Sequence, residues 1–355
     1  MFIVDAHLDL AYNALNFGRD LRRPVADLRQ AEAGRQVGDG LITATFPSLR
    51  QAGVGLIFGT LFVTPYRKRQ PGEKLVYRHA AEAHRLAMQQ LDYYRRQADE
   101  LDYLRLVGDP AGLETIVHSH TNGETPLLGI IPLMEGADPI REPEELELWY
   151  EQGLRIIGLA WDDTRYAGGA WQSGPSRGIS RNGYRLMEIM ADLGLILDIT
   201  HLSEKASYEA LERYPGTVVA THCNARALLP IERHLNDQQI RLLAERDGIT
   251  GIVLYNAFLK PTYHKGDPKE SVTLADVVAH IDHICQLLGD ATHVGIGSDF
   301  DGGFGAQHIP AGLDSVLDLP NLATALQDHG YTPADIANIM GQNWLNLLRR
   351  ALPAG

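Results

Sequence analysis

Short apolar runs recur along the chain, each bounded by glycine, proline or polar residues and separated by longer segments of helical periodicity. The eight runs are FIVDAHL from Phe2, VGLIFGTLFV from Val54, LLGIIPLME from Leu127, RIIGLAW from Arg155, LILDITH from Leu195, TVVATHC from Thr217, ITGIVLY from Ile249 and HVGIGSD from His293. Because the runs are apolar on both faces, they are typical of parallel strands covered by helices. The pattern therefore predicts an α/β fold, a TIM-type (β/α)8 barrel.

Helical periodicity between the runs predicts the remaining elements. Helices are predicted over Leu75 to Leu104, Asn182 to Leu193, Ser203 to Glu212, Asn236 to Arg246, Thr273 to Leu288 and Thr332 to Leu348. Segments 18–40, 162–180 and 256–272 are predicted as loop insertions in the barrel. A doubly wound open sheet is the alternative, but no GxGxxG opens a helix after the first run. We expect a single catalytic domain over 1-355.

The composition narrows the class of protein. The chain of 355 residues has 45 acidic and 32 basic side chains, a formal net charge of -13. This charge repels phosphate backbones and anionic membranes, so we expect no nucleic acid partner. Cys223 and Cys285 form no CxxC pair, which favours a reducing, cytoplasmic location. No signal peptide, lipid anchor or membrane span is predicted, and whether the chain forms a homodimer is left open.

Candidate metal ligands collect at the predicted strand ends. The first run ends in His7-Leu8-Asp9, and a period of two directs both polar side chains to the same side. An HxD triplet alone is a weak signal, but barrel active sites lie at the carboxyl ends of the strands. The other residues at such ends are Glu135, His201, His222 and Asp299. We therefore expect all six side chains to meet at one mouth of the barrel.

The other histidines are interpreted as solvated. Those placed on helices and loops are His79, His84, His118, His234, His264 and His329. His280 and His283 lie one helical turn apart and are able to bind a metal, but a surface role is favoured for them as well.

Imidazoles and carboxylates around one cavity suit two divalent metal ions, most simply zinc, and Glu135 is able to bridge them. Such a pair acidifies the water between the metals and polarises a carbonyl, which predicts amide hydrolysis by a metal-bridging hydroxide. Asp299 is then a catalytic acid and base that passes a proton from the attacking water to the leaving amine. A sixth metal ligand or a structural aspartate in SDFDGG are its alternatives. Asp301 is interpreted as a turn or capping residue.

Five ordered motifs carry a resemblance to a known family: DAHLDL, MEGAD, LILDITHLSE, THCNARALLPIERHLND and GIGSDFDG. With these the chain resembles the membrane dipeptidase, or renal dipeptidase, family of zinc metallopeptidases over nearly its whole length. The resemblance implies one zinc on His7, Asp9 and Glu135, and a second zinc on Glu135, His201 and His222. It also implies that Arg233 binds the terminal carboxylate of the substrate, a role that suits a guanidinium fork. Arg226 is interpreted as structural.

One position departs from the family. After the fourth run the family has a histidine that contacts the substrate carbonyl, whereas this chain reads GLAWDDTRYAGG with Trp161 in that place. An indole is able to donate one hydrogen bond or to form the wall of a pocket. Arg165 and Tyr166 are alternative carbonyl contacts, and an ordinary surface turn is the competing interpretation of both.

Three functions follow in order of preference. The first is a dipeptidase acting on L-L and also on L-D dipeptides. The second keeps the metals but acts on another small amide, such as an N-acyl amino acid, a modified dipeptide or a cyclic amide. The third is a catalytically silent metal-binding or accessory protein on the same barrel.

Overall fold

The computed structural model describes residues 1–38, 40–70, 72–122, 125–170 and 176–354. Its central sheet contains eight parallel barrel strands: Ile3–Leu8, Val54–Phe62, Leu128–Glu135, Ile156–Gly158, Ile196–Asp198, Val218–Val219, Thr250–Ile252 and Val294–Ile296. Each strand except the sixth pairs with the next in the chain, and the eighth returns to the first through Asp5 and Ile296. A bridge between Ala220 and Thr250 joins the sixth strand to the seventh, which nearly closes the ring. The predicted barrel is thereby confirmed.

Each predicted apolar run contains one barrel strand; the first three strands are one residue shorter than their runs, and the last five keep only two or three residues of seven. The sixth strand is only Val218–Val219, within the run TVVATHC. Most of the apolar residues beyond these strands are nevertheless buried, Leu254 among them, whereas Trp161 and Tyr255 are half-buried and line a cavity. His201, His222 and Asp299 therefore lie in the loops that follow their strands.

Helices connect the strands. They span Leu10–Phe17, Val25–Glu32, Phe46–Gln51, Ala80–Glu100, Pro110–Ser119, Leu146–Glu151, Arg181–Asp192, Glu204–Arg213, Asp237–Ala244, Leu274–Leu288, Asn321–His329, Pro333–Ala337 and Asn343–Ala351, with a π-helical turn Asn338–Gln342 between the last two. Polar side chains cap the amino-terminal ends of several of these helices. Ser203 accepts a hydrogen bond from the backbone of Ala206, and Asn236 forms a capping box with Gln239. In the described parts of the chain, no helix is both long and apolar enough to cross a membrane.

The helix predicted over Leu75 to Leu104 is wrong at both ends. Val76–Tyr77 pairs instead with the short strand Thr64–Pro65, and Leu104–Leu106 pairs with the third barrel strand. Two of the predicted loops also contain helical structure: Val25–Glu32 in the first and the 3-10 turns Asn256–Phe258 and Lys269–Ser271 in the third. Of the loop predicted over 162–180, residues 171–175 lie outside the described residues.

Buried side chains form two clusters that hold the barrel in place. The larger cluster joins strand residues such as Ile57 and Ile130 to helix residues such as Leu86 and Leu91. The smaller one joins alternate strand residues, among them Phe58, to Trp344 of the last helix; their rings meet edge to face at 5.2 Å. The rigid sheet therefore fixes the loops that carry the candidate ligands.

Candidate metal centre

The six predicted residues lie together at the carboxyl end of the barrel. Glu135 is the last residue of the third strand, and all six side chains are buried: His7, Asp9, Glu135, His201, His222 and Asp299. His201 and Asp299 have φ angles of 66° and 60°, in the left-handed region that few residues other than glycine adopt. Backbone strain of this kind is concentrated at functional sites.

One group of ligand atoms surrounds a single oxygen of Glu135. Glu135 Oε1 lies 3.0 Å from His201 Nε2 and 3.4 Å from His222 Nε2, and the two imidazole nitrogens are 3.0 Å apart. Tetrahedral coordination at 2.0–2.1 Å places ligand atoms about 3.3–3.4 Å apart. The triangle is therefore close to the size that a zinc ion requires.

The second group surrounds the other oxygen of Glu135. His7 Nε2 lies 3.7 Å from Glu135 Oε2, 3.7 Å from Asp9 Oδ2 and 3.9 Å from Asp299 Oδ1. Neither ring nitrogen of His7 has a hydrogen-bond partner among the described residues, although the side chain is fully buried. A buried imidazole without partners is costly, and coordination of a metal removes that cost. Among the described residues, two groups bring metal-ligating atoms within 4.8 Å of one another: His7 with Glu135 and His222, and His7 with Asp9 and Asp299. The donor sets thus fit the binding of a divalent cation.

The charge of the centre also fits cations. Burial lowers the pKa of His201 and His222 well below the ordinary histidine value, and Arg233 adds to the shift, so both rings are neutral and able to ligate. Burial raises the pKa of Glu135 well above its usual range. Burial also lowers the pKa of His7, but Glu135 and Asp9 outweigh it and raise this pKa to about 10. A divalent cation would supply the positive charge that this proton provides.

Asp299 combines burial with access to the cavity. Burial raises the pKa of this carboxyl group to about 8; Asp9 acts in the same direction, while His7 and Arg233 oppose it. A carboxyl group with such a pKa is able to hold or release a proton near neutral pH.

A second layer of contacts orients the ligands. Thr221 Oγ1 donates a hydrogen bond to Asp198 Oδ2 at 2.6 Å and accepts one from His222 Nδ1 at 2.9 Å, which leaves Nε2 of His222 as the ligating atom. Asp5 accepts hydrogen bonds from the backbone and hydroxyl of Ser298. The backbone at Gly297 passes so close to the Thr221 carbonyl that a Cβ atom there would lie 1.8 Å from it. Asp5 lies two residues before His7 on the first strand and so faces the same side. This spacing is the one signal in the sequence for the residues that orient the candidate ligands.

The centre opens into a cavity of about 470 Å³. Its wall combines ligands with aromatic and polar side chains that the sequence did not single out: Tyr12, Phe62, Thr64, Lys68, Gln70, Glu73, Tyr255, Ala257, Phe258, Lys265 and Phe304. Most of them stand on loops without periodicity, so no sequence signal marked them. Trp161 also lines the cavity, with its ring 6.2 Å from that of His201 and 5.1 Å from that of Phe62.

Arg233 lies directly behind the centre. Its guanidinium donates to the His222 carbonyl at 2.8 Å, lies 3.2 Å from His201 Nε2 and covers the ring of Phe258 at 5.4 Å. Its Nε is buried without a hydrogen-bond partner among the described residues. The contact of Arg233 with a substrate carboxylate stays a prediction. Arg226 pairs with Glu204 and donates to the His234 carbonyl, a structural arrangement.

Arg165 and Tyr166, the two alternative residues for contact with the substrate carbonyl, are turned away from the cavity. Arg165 Nη2 donates to the Asp138 carbonyl at 2.9 Å and its Nη1 to the Arg141 carbonyl at 2.6 Å. Tyr166 is fully buried, and its hydroxyl donates to the Ile140 carbonyl at 2.5 Å. Both side chains hold the loop after the fourth strand, so neither replaces the family's histidine.

Three histidines that were predicted to be solvated, His84, His234 and His280, are buried or half-buried instead. His234 and His280 are fully buried rather than solvated: His280 accepts from the backbone of Ala225 and donates to the Leu259 carbonyl, and His234 donates to the Phe258 carbonyl. His84 is half-buried against the Pro139 carbonyl. Asp301 does occupy a turn, with φ 64°, but its carboxylate is buried and accepts from the backbone of Thr43 and Ala44, which ties two loops together.

A parallel barrel with imidazoles and carboxylates gathered at its carboxyl end defines a metal-dependent hydrolase. The family model of membrane dipeptidase (Peptidase family M19) matches residues 1–353, so the chain belongs to this metallo-dipeptidase family.

Relatives and solved structures agree with this assignment. Dipeptidase aclJ of Aspergillus oryzae is 31% identical over 312 residues, which is 85% of this chain and 68% of the relative. The crystal structure of dipeptidase AC, a metallopeptidase of family M19, superposes with a TM-score of 0.80 at 26% identity, covering 100% of this chain and 99% of its own. A metallopeptidase from Rhodobacter sphaeroides, liganded with a phosphinate mimic of the dipeptide L-Ala-D-Ala, gives 0.80 at 26% identity and covers 99% of both chains.

Proposed function

We propose that this protein is a zinc-dependent dipeptidase with two metal ions, one on His7, Asp9 and Glu135 and the other on Glu135, His201 and His222. The observation that carries the proposal is the division of the Glu135 carboxylate between two ligand groups. Oε1 faces the pair of neutral histidines at 3.0 and 3.4 Å, and Oε2 faces His7 at 3.7 Å. Mixed imidazole and carboxylate donors suit zinc, although manganese or cobalt accept similar sets.

When bound, the metal ions would polarise the scissile carbonyl and lower the pKa of the attacking water. Asp299 then accepts the proton that the water loses as its oxygen bonds to the carbonyl carbon. As the C–N bond breaks, the same carboxyl group returns this proton to the leaving amine. Its burial and its place in the cavity wall next to the candidate ligands support this double role.

The remaining residues hold the substrate. The Arg233 guanidinium offers two parallel N–H donors that match a terminal carboxylate, and its buried Nε has no hydrogen-bond partner among the described residues. Trp161 forms part of the cavity wall where related enzymes have a histidine. A flat apolar face there excludes water from the scissile bond but adds no positive charge. A cavity of about 470 Å³ has room for a dipeptide rather than a long chain.

The decisive experiment reloads chelator-treated protein with zinc, manganese or cobalt and assays L-L, L-D and N-acylated dipeptides. We expect zinc to restore hydrolysis of dipeptides with free amino groups as the metal content reaches two ions per chain. Turnover of blocked substrates alone would favour an N-acyl amino acid hydrolase. Binding of two metals without hydrolysis of any amide would favour the accessory protein, and full activity with one metal would contradict the binuclear centre.

A further inference from the structure

One buried carboxylate in the cavity has no part in the proposed chemistry. Glu73 is only 2% exposed and lines the cavity. Its Oε1 accepts hydrogen bonds from the Tyr12 hydroxyl and, at 2.8 Å, from Thr64 Oγ1, while Oε2 accepts from the Gln70 backbone N–H at 2.8 Å. A carboxylate offers about four acceptor positions, so these three neutral donors do not saturate it.

No basic side chain neutralises this charge. Within the described ranges, no lysine, arginine or histidine nitrogen lies within 4.0 Å of the Glu73 carboxylate. Lys68, which also lines the cavity, pairs with Asp162 at 3.8 Å instead. Buried charges in proteins are normally paired, because their desolvation is expensive. Arg69 Nε donates to the backbone carbonyl of Glu73 at 3.0 Å rather than to its carboxylate. Glu73 thus presents to the cavity a carboxylate that forms no ion pair among the described residues.

The surroundings of Glu73 suit a cation. The Tyr12 ring lies 5.5 Å from that of Phe62, which lies 5.1 Å from that of Trp161, so aromatic side chains form this side of the cavity. Aromatic faces attract ammonium and guanidinium groups. The site is also held in place, because Asn16 Oδ1 accepts from the backbone N–H groups of Lys74 and Leu75 at 3.1 and 2.9 Å.

The barrel places this wall opposite Arg233. Phe62 ends the second strand, and Thr64 and Glu73 follow it, whereas Arg233 follows the sixth strand. Strands two and six are four places apart in a ring of eight, which puts them across the barrel axis from each other. The metal ligands lie at the strand ends between them. Glu73, in the cavity wall, and Arg233, behind the metal ligands, therefore lie on opposite sides of the barrel, as the two charged ends of a dipeptide with free termini require.

Resting on the proposed function, we infer that Glu73 binds a positively charged group on the amino-terminal residue of the substrate. Two sources of that charge fit the site: the free α-ammonium group or a basic side chain. In either case Glu73 determines specificity and takes no part in bond cleavage.

The test compares the wild type with Glu73→Gln, which keeps the shape but removes the charge, and with Glu188→Gln at the exposed surface as a matched control. Four ligands separate the two sources: Ala-Ala, N-acetyl-Ala-Ala, Lys-Ala and norleucyl-Ala, with N-acetyl-Ala-Ala followed as substrate or as competitive inhibitor. If the α-ammonium binds, kcat/KM of Glu73→Gln falls about 10- to 100-fold for Ala-Ala, while its interaction with N-acetyl-Ala-Ala is unchanged. If a basic side chain binds, only Lys-Ala is affected and norleucyl-Ala is not.

An equal loss for all four ligands, or no loss for any, would overturn the assignment of Glu73. Metal content and melting temperature equal to those of the wild type show that the variant is folded. If the zinc-loaded wild type hydrolyses no dipeptide, the proposed function fails by itself. Calorimetric titration of the same ligands into wild type and Glu73→Gln then still tests Glu73, through the loss of affinity for the charged ligands alone.

Discussion

Removal of one hydroxyl group behind His222 should weaken the metal centre without changing any ligand. Thr221 Oγ1 accepts from His222 Nδ1 at 2.9 Å and donates to Asp198 Oδ2 at 2.6 Å. Thr221→Val keeps the branched shape but breaks both hydrogen bonds, which leaves the imidazole N–H buried without a partner. Asp198 still accepts from the backbone N–H groups of Thr200 and Thr221, each at 3.0 Å, so the fold should persist.

The size of the effect follows from these contacts. Hydrogen bonds to charged groups contribute about 1.5–3 kcal/mol, but only the part that differs between the metal-bound and metal-free states changes affinity. Loss of such an outer contact typically costs about 10- to 100-fold in metal affinity, or about 1.4–2.7 kcal/mol. We therefore expect the zinc dissociation constant to rise by one to two orders of magnitude in Thr221→Val.

Competition with a chromogenic chelator measures this constant, and Thr221→Ser serves as the control because it retains the hydroxyl group. The serine variant should bind zinc within a few-fold of the wild type. If Thr221→Val binds zinc as tightly as Thr221→Ser, the hydroxyl relay does not orient His222 and the reasoning is wrong. A melting temperature measured without metal separates a loss of affinity from a loss of fold.

Three further predictions test other parts of the molecule. Asp299→Asn should keep its metal content, measured by elemental analysis, while kcat falls about 100- to 10,000-fold; retained activity would contradict its role in proton transfer. Arg233→Lys should raise KM for a dipeptide about 10-fold or more but leave KM for the corresponding dipeptide amide unchanged, since only the carboxylate needs the guanidinium fork. His280 has a pKa lowered to about 4 by burial, opposed by its backbone contact with Leu259. As the pH falls, the imidazole of His280 is protonated in the unfolded chain before it is protonated in the folded protein. The unfolding free energy should therefore decrease by about 3 kcal/mol between pH 6.5 and pH 4. Urea unfolding across that range should show a shallower pH dependence of the unfolding free energy for His280→Gln than for the wild type; an identical slope would count against this explanation.

The fold was largely predictable because a parallel barrel repeats one simple pattern. Each buried strand is apolar on both faces, so all eight runs stood out from the helices between them. Element boundaries were harder. The predicted helix extends too far on either side of the observed helix Ala80–Glu100. The residues on its two sides pair as short strands, but their composition does not differ from that of the helix, so the sequence does not mark the boundary. The helix Pro110–Ser119 was missed, although Asp109 caps it.

The candidate metal ligands were predictable for a different reason. Their positions at the strand ends and their residue types both indicate a metal site. His7, Asp9 and Glu135 are polar residues at the ends of apolar strands, where a buried polar group needs a hydrogen-bond partner or a metal. His234 and His280 show the limit of this argument. Their helices and loops looked exposed, but the Phe258 and Leu259 carbonyls, distant in sequence, satisfy both rings in the interior. Which carbonyl faces a side chain depends on tertiary structure alone.

The same limit explains why the substrate side of the cavity remained hidden. Metal ligands come from a few residue types, here imidazoles and carboxylates, so residue type narrows the set of candidate ligands. A residue in the cavity wall needs only a suitable shape or one charge, so its type says little. Glu73 lies in a loop of mixed composition. That its carboxylate accepts only neutral donors among the described residues is visible only once the loop is folded. The type of reaction in this family can therefore be predicted from the residues at the strand ends. Glu73 and Trp161 line the cavity from the loops after the second and fourth strands. If the proposed function is correct, substitutions there should change substrate preference while the metal centre stays intact.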